Sequence, residues 1–139
     1  MADNNRTHFI GIGGVGMSGL ASVYLSKGNP ISGSDISENA RTEQLTKDGA
    51  HIYIGHRAEN LSPDVTKVVL STAIKADNPE LLAAKERNIP IFHRSDILAE
   101  LFLDSEFGIA VAGCHGKTTV SSMIATVLKV AGKKPTAVI

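Results

Sequence analysis

Two glycine-bearing loops, at residues 11–16 and 113–118, constrain the fold of this chain more than any other feature of its sequence. Each loop follows a short apolar run and precedes a stretch with helical spacing, which is the order of a strand, a phosphate-binding turn and a helix. The pair predicts an α/β chain with a parallel sheet and sites for two phosphorylated ligands. An ordinary dinucleotide-dependent dehydrogenase or a simple nucleoside triphosphatase does not require both loops.

The first loop has the pattern Gly-x-Gly-x-x-Gly, formed by Gly11, Gly13 and Gly16 between a strand predicted at 8–12 and a helix predicted at 16–27. The first glycine permits a tight turn, the second lets the backbone approach a diphosphate, and the third allows the helix to pack closely on the strand. The pattern therefore predicts diphosphate binding. A glycine-rich turn without a ligand is the alternative.

Asp35 follows the second predicted strand, roughly 20 residues beyond the first loop, where a carboxylate can reach ribose hydroxyls. It could equally cap a turn into the next helix, and both interpretations stay open. Even with Asp35, the pattern does not separate NAD from another ribose-diphosphate ligand.

The second loop departs from the usual P-loop spacing, because Val111 stands where that pattern has its first glycine. The remaining Gly113-x-x-Gly116-Lys117-Thr118 keeps the features that bind phosphate. Backbone N–H groups at the helix start would cradle the phosphates, Lys117 would reach the β and γ oxygens, and the Thr118 hydroxyl would ligate Mg²⁺.

Apolar runs and helical stretches alternate along the chain, which predicts a three-layer α/β domain with a parallel sheet. Strands are predicted at 8–12, 30–33, 51–54, 67–71 and 90–93, and the third and fourth are expected in the middle of the sheet. The intervening helices have candidate N-caps at Ser37, Asn78 and Ser95. The last of these helices carries an apolar face of Ile97, Leu98, Leu101 and Phe102.

Residues 103–107 are interpreted as a domain junction, which divides the chain into a domain at 1–105 and a second region at 106–139. In the second region a strand at 108–112, a helix at 117–131 and a strand from 133 onward are predicted. A unit of this size is too small to bury its own apolar faces. We therefore expect it to be the truncated start of a second domain, which packs on the first domain, self-associates or is mobile.

Composition excludes several classes of protein. The 14 basic and 14 acidic residues cancel, so the charge balance favours neither nucleic acid nor an anionic membrane as a partner. No apolar stretch approaches the roughly 20 residues of a membrane span, and no signal segment is recognisable, so a cytoplasmic location is expected. The single cysteine, Cys114, rules out an intrachain disulfide and has no metal-ligand spacing with the five histidines.

Several segments, taken together and in order, resemble the Mur ligases of peptidoglycan synthesis, and the match is best to the members that add alanine. They are residues 8–19, 31–35, 53–56, 71–74, 77–80, 98–101 and 109–119. The resemblance implies an N-terminal Rossmann-like domain that holds the UDP end of UDP-N-acetylmuramate, then a central ATP-binding domain and a C-terminal domain. It also implies a reaction in which ATP phosphorylates the muramyl carboxylate and the amine of L-alanine attacks the acyl phosphate.

The resemblance also implies residue roles. The UDP-substrate site would comprise Gly11, Gly13, Gly14, Val15, Gly16, Met17, Ser18, Asp35, His56, Ser71, Thr72 and Ala73. The ATP site would comprise Gly113, Cys114, His115, Gly116, Lys117, Thr118 and Thr119. Lys117 would be catalytic by stabilising charge during transfer, and Thr118 would support Mg²⁺ in an incomplete site.

Two points set this chain apart from a complete ligase. Cys114 stands where the family usually has threonine, and ATP binding is expected to survive that change in a full enzyme. The acidic Mg²⁺ ligands, the adenine pocket and the alanine site are expected beyond Ile139, so this chain should bind the UDP-substrate without catalysing ligation. The alternatives are a nicotinamide-dependent oxidoreductase, which leaves 113–118 unused, and a non-catalytic nucleotide-sensing module.

Overall fold

The structure is a computed structural model that describes residues 5–139. Residues 1–4 of the predicted first domain lie outside the described residues. The described part contains a five-stranded sheet in which every pairing is parallel. The strands are β1 (Arg6–Ile10), β2 (Ile31–Asp35), β3 (His51–Ile54), β4 (Val65–Leu70) and β5 (Ile91–His93). The helices are α1 (Val15–Ser26), α2 (Ala40–Lys47), α3 (Pro79–Glu86), α4 (Arg94–Leu103) and α5 (Lys117–Val130), with a 3-10 turn at Ala58–Asn60.

The strand order is β3-β2-β1-β4-β5, which confirms the predicted Rossmann-like α/β class. The expectation that the third and fourth strands lie in the middle was wrong for the third, because β3 is an edge strand and β1 is central. The chain moves outward from β1 through β2 to β3 and then returns to the other side of β1 as β4. This reversal creates a crevice at the carboxyl ends of β1 and β4, where ligands bind in open α/β sheets.

Successive residues of each strand face opposite sides of the sheet and belong to two separate cores. Phe9 contributes to a core with residues of α1, α2 and α4, whereas Ile10 contributes to a core with residues of α3. The α1 residue Leu20 and the α4 residue Ile97 are completely buried in the first core. Burial of one such aliphatic side chain stabilises the fold by about 1.5–3 kcal/mol. The result is the predicted three-layer arrangement of helices, sheet and helices.

Local cap chemistry decides where the helices begin. Asn78 caps α3 as predicted, because its side-chain oxygen accepts hydrogen bonds from the backbone N–H groups of Glu80 and Leu81 at 2.9 and 3.2 Å. The prediction of Ser37 as the cap of α2 was wrong, since Asn39 accepts the corresponding bonds from the first turn.

The prediction of Ser95 as the cap of α4 was also wrong. Ser95 lies inside the helix, which begins at Arg94. The backbone N–H of His93 donates to the Asp96 carboxylate at 2.9 Å and closes the helix start. Of the four residues expected on its apolar face, only Ile97 is fully buried, and Leu98 and Phe102 remain more than two fifths exposed.

Within residues 106–139, the predicted helix forms as α5 and the two predicted strands do not. Residues 108–112 and 133–139 form no backbone ladder, because no strand of the described sheet extends beside them. Instead, residues from both segments flank α5 around a small cavity of about 190 Å³. Val138 packs against the first core, so this region touches the sheet domain. The apolar stripe of α5 stays open, with Met123 and Val127 each more than three fifths exposed.

No helix within residues 5–139 combines the length and the apolar character that crossing a membrane requires.

Candidate functional site

A cleft of about 910 Å³ lies at the carboxyl edge of the sheet, where the chain order reverses. The segments that follow β1, β2, β3, β4 and β5 all contribute to it. Its lining residues are Gly11, Gly13, Gly14, Val15, Gly16, Met17, Asp35, Ile36, Asn39, His56, Ser71, Ala73, Ile74, Lys75, Asp77, Asn78, Pro79 and Arg94. A cleft of this size is in the range of small-molecule binding sites.

The first glycine loop forms one wall of the cleft and is held by backbone hydrogen bonds to β2. Gly11 has a φ of +78°, a conformation that favours glycine, and this turn takes the chain out of β1. The N–H groups of Gly11 and Ile12 both donate to the Ser34 carbonyl, at 2.8 and 2.9 Å. The turn is therefore fixed against the neighbouring strand before α1 begins.

The N-terminus of α1 is open towards the cleft. Its N-cap is Gly14, which has no side chain to satisfy the first backbone N–H groups of the helix. The first turn contains no acidic residue. Unsatisfied N–H groups and the positive end of the helix dipole together form an anion-binding position. The geometry suits a phosphate or diphosphate group.

Asp35 connects the glycine loop to β2. One oxygen of its carboxylate accepts a hydrogen bond from Gly13 N–H at 2.8 Å, and the other accepts from its neighbour Ile36 N–H at 2.8 Å. The Asp35 side chain thus lines the cleft while it also holds the loop. A Cβ atom added at Gly13 would lie 2.9 Å from the carboxylate and 2.6 Å from the Asn39 amide, so the loop approaches β2 and α2 too closely for a larger residue.

Arg94 is a cationic lining residue outside the set expected from the sequence. It lies at the start of α4 and reaches the N-terminal turn of α1, where its guanidinium covers Gly16. A Cβ atom at Gly16 would fall 1.8 Å from the Arg94 Nη1, so the absence of a side chain there makes room for the guanidinium. The contact between Arg94 and Gly16 could not be predicted from the sequence, because one residue follows β5, the other belongs to the loop after β1, and no local pattern relates them.

His56 lines the cleft and is connected to a buried acidic residue below it. Its Nδ1 lies 3.0 Å from the Ser34 hydroxyl and 3.1 Å from a Glu80 carboxylate oxygen. Glu80 is completely buried and also accepts hydrogen bonds from Ser34 and Asn60, each at 2.5 Å. Burial raises the pKa of the Glu80 carboxyl, whereas the contact with His8 and the hydrogen bonds from Ser34 and Asn60 lower it. The lowering effects are larger together, so the pKa of Glu80 lies below its ordinary value.

His8, on β1, completes this buried polar cluster. Its Nδ1 lies 2.8 Å from the Ser32 hydroxyl, and its Nε2 lies 3.6 Å from Glu80. Among residues 5–139, the Nε2 of His8 is the buried side-chain nitrogen or oxygen that lacks a hydrogen-bond partner. The sheet therefore carries a connected cluster of buried polar side chains beneath the cleft, next to the apolar cores.

The cleft brings together ten of the twelve residues expected in the UDP-substrate site, and it leaves out Ser18 and Thr72. The Ser18 hydroxyl donates to the Val15 carbonyl at 3.0 Å within α1. Thr72 is exposed beside the cleft. The cleft is also lined by residues that were not in the expected substrate site, and all of them follow a strand: Ile36, Asn39, Ile74, Lys75, Asp77, Asn78, Pro79 and Arg94.

The second glycine loop lies outside the cleft. Gly116 caps α5 in a left-handed conformation with a φ of +76°, and the Lys117 ammonium folds back to donate to the Gly113 carbonyl at 2.6 Å. No atom lies within 4 Å of a Cβ built at Gly116, so this side of the loop is open. Residues 5–139 hold no cluster of three acidic, histidine or cysteine side chains that could complete a metal site with Thr118. A helix start capped by glycine, with no side-chain cap, suits a phosphate group, whereas no complete metal site lies in the part of the chain that the structure describes.

Comparison with known proteins adds to this geometry. A sequence profile described as "Mur ligase family, catalytic domain" matches residues 6–106, which contain all five strands and the first four helices. The chain belongs to the Mur ligase family.

Individual relatives agree with this assignment. The chain is 59% identical to the UDP-N-acetylmuramate–L-alanine ligase of Aquifex aeolicus over 96% of its length, and 56% identical to the enzyme of the same name from Carboxydothermus hydrogenoformans over 92%. Among solved structures, it superposes on the UDP-N-acetylmuramate–alanine ligase of Thermotoga maritima with a TM-score of 0.88 and 39% identity, covering 94% of the chain and 30% of that structure. It spans 29% and 27% of the two sequence relatives, so less than a third of their length is represented.

Proposed function

We propose that the cleft binds the UDP end of UDP-N-acetylmuramate, and that the chain is the N-terminal substrate-binding part of an ATP-dependent ligase that adds L-alanine to it. The observation that carries the proposal is the open N-terminus of α1 beneath the Arg94 guanidinium, in a chain of the Mur ligase family. We also propose a domain boundary near residue 105, shortly after the end of α4 at Leu103.

Different residues of the cleft would bind different parts of the ligand. The free N–H groups of α1 and the Arg94 guanidinium would bind the diphosphate, since both present donors and positive charge at the same place. His56, Asp35 and the segment around Ser71 would surround the nucleoside. Asp35 keeps the loop in the binding conformation through its bond to Gly13, which limits the entropy lost on binding.

The second loop would hold the phosphates of ATP. In a complete ligase, ATP would donate its γ-phosphoryl group to the muramyl carboxylate, and the amine of L-alanine would then displace phosphate. Lys117 would leave the Gly113 carbonyl to bind the phosphoryl oxygens, and Thr118 would contribute one oxygen ligand to Mg²⁺.

The chain by itself is proposed to bind the UDP-substrate without ligating it. Its proposed location is the cytoplasm. Its exposed α5 stripe would permit self-association, which sedimentation at increasing protein concentration would detect.

Calorimetric titration with UDP-N-acetylmuramate, UDP and NAD tests this function. We expect binding of the UDP compounds and an affinity for UDP-N-acetylmuramate that falls about tenfold in Arg94→Ala, since a charged hydrogen-bond donor is lost. Lys85→Ala is the matched control, because it removes the same charge from an exposed position of α3 outside the cleft lining. Tight binding of NAD with no response to the UDP compounds would instead favour the oxidoreductase alternative and refute the proposal.

A further inference from the structure

The buried carboxylate below the cleft is the feature that the proposed function does not use. Glu80 lies in the first turn of α3, is completely buried and contacts groups from β1, β2, the 3-10 turn and the loop after β3. A buried ionised carboxylate is costly unless it is fully hydrogen-bonded, so a simple packing role would be served better by an apolar residue. Its partner His56 is the member of this cluster that lines the cleft.

The hydrogen bonds around Glu80 determine where the proton of His56 resides. An ionised carboxylate only accepts hydrogen bonds. The Ser34 hydroxyl donates its single proton to Glu80 at 2.5 Å, so it has no proton left for another acceptor. The Ser34 oxygen therefore faces the His56 Nδ1 as an acceptor at 3.0 Å, and the Glu80 oxygen faces the same nitrogen as an acceptor at 3.1 Å. Two acceptors against Nδ1 require that Nδ1 carries a proton.

The other ring nitrogen of His56, Nε2, is available to a ligand in the cleft. The contacts of His56 with Glu80 and Ser34 all involve Nδ1, and among the described residues no hydrogen bond involves Nε2. The side chain lines the cleft and is 18% exposed. In a neutral imidazole with its proton on Nδ1, Nε2 has a free lone pair and accepts hydrogen bonds.

We propose that Glu80 is a positioning residue that keeps the proton of His56 on Nδ1 and so presents Nε2 to the cleft as an acceptor for a hydrogen-bond donor of the ligand. The first half concerns the free protein alone, and the second half rests on the proposed function. Glu80 acts on the ligand only through His56, which fixes both the direction and the polarity of that contact.

Nitrogen-15 spectra of the histidine side chains test the proton position without any ligand. At a pH where the spectra show a neutral His56 ring, we expect Nδ1 to give the protonated, pyrrole-type signal and Nε2 the unprotonated, pyridine-type signal. His56→Gln assigns these signals among the five histidines. In Glu80→Gln, whose side-chain amide can donate as well as accept, we expect the form with the proton on Nε2 to become populated. A wild-type ring protonated on Nε2 would overturn the proposal, and this measurement needs no variant that folds poorly.

A double-mutant cycle tests the effect on the ligand. With UDP-N-acetylmuramate as the probe, we expect about tenfold weaker binding in Glu80→Gln and in His56→Gln, and no further loss in the double variant. Losses that multiply in the double variant would show that Glu80 acts independently of His56 and would refute the positioning role. If the wild-type protein does not bind UDP-N-acetylmuramate, the proposed function and the acceptor role for that ligand both fail, and the spectra still decide the proton position.

Discussion

The carboxylate of Asp35, at the end of β2, accepts a hydrogen bond of 2.8 Å from the backbone N–H of Gly13, in the middle of the glycine loop. The Asn39 amide and the Arg41 guanidinium each lie 3.4 Å from the Gly13 carbonyl. Both polar groups of one glycine are thus held by the β2–α2 region. The loop conformation that opens the N-terminus of α1 to an anion is therefore stabilised from the neighbouring strand.

Replacement of Asp35 by alanine removes the acceptor of both the Gly13 and the Ile36 N–H groups. We expect a loss of about 1–2 kcal/mol in the free energy of unfolding, because the site is partly exposed and water replaces part of the lost bonding. We also expect weaker binding of UDP-N-acetylmuramate, because the loop becomes less ordered. Urea unfolding and calorimetry measure the two effects. As a control, Glu43→Ala removes a negative charge from an exposed position in the first turn of α2. It should leave the affinity unchanged and lower the free energy of unfolding by less than about 1 kcal/mol, the contribution of one charge to the helix dipole.

Gly33 lies in β2 at a point where the sheet packs closely on the loop after β1. A Cβ atom there would approach the Phe9 carbonyl to 2.7 Å and the Ile12 side chain to 2.5 Å. Since the carbonyl belongs to the central strand and cannot move freely, Gly33→Ala should lower the free energy of unfolding by about 1–3 kcal/mol. Gly19→Ala is the matched control, because its Cβ would meet only Val138 at an ordinary 3.7 Å. Within α1 it should stabilise the protein by about 0.5–1 kcal/mol, and equal destabilisation by both substitutions would contradict this account.

The stability of the protein should decrease in acid because of its carboxylates with lowered pKa values. The pKa of Glu80 lies below its ordinary 4.5: burial raises it, and the contact with His8 and the hydrogen bonds from Ser34 and Asn60 lower it further than burial raises it. The pKa of Asp64 lies below its ordinary 3.8, owing to hydrogen bonds from Ser62 and Arg6.

A carboxyl that binds its proton less tightly in the folded state contributes stability above its unfolded pKa and loses that contribution as the pH falls through its folded pKa. We therefore expect the free energy of unfolding to fall progressively below about pH 4.5. Denaturant titrations at a series of pH values check this, and the slope should be shallower in Glu80→Gln. An identical slope in that variant would show that Glu80 does not contribute.

Features with local causes were predictable from the sequence. The Asn78–Pro79 helix start and the sequence of strand, glycine loop and α1 depend on residues that are neighbours in the chain, and the structure has both. The position of β3 at the sheet edge was not predictable in this way, because the choice of a neighbouring strand depends on long-range packing. The expected strand at 108–112 has a suitable apolar sequence, but a strand needs a partner for its backbone groups, and none lies beside it in the described sheet.

In the candidate site, too, residues that belong to a local sequence pattern were predictable, and residues placed by long-range contacts were not. The glycine loop and Asp35 were recognisable because their spacing belongs to a known pattern. Glu80 looked like an ordinary acidic residue in the first turn of a helix, and its burial results from the meeting of β1, β2 and the 3-10 turn above α3. Arg94 reaches the first loop only because α4 returns beside α1. Contacts between distant segments carry no local signature, so these residues required the structure.

Gly16 and Arg94 provide the most direct test of the anion site. A methyl group at Gly16 would collide with the end of the Arg94 side chain, which is flexible and can move away at little cost. Gly16→Ala should therefore not lower the melting temperature, because alanine also favours the helix. It should weaken UDP-N-acetylmuramate binding about tenfold, by displacing the guanidinium from the start of α1. In the Arg94→Ala background the same substitution should have no further effect on affinity. A further loss there would mean that the methyl group itself obstructs the ligand, and an unchanged affinity in the single variant would place the diphosphate away from the N-terminus of α1.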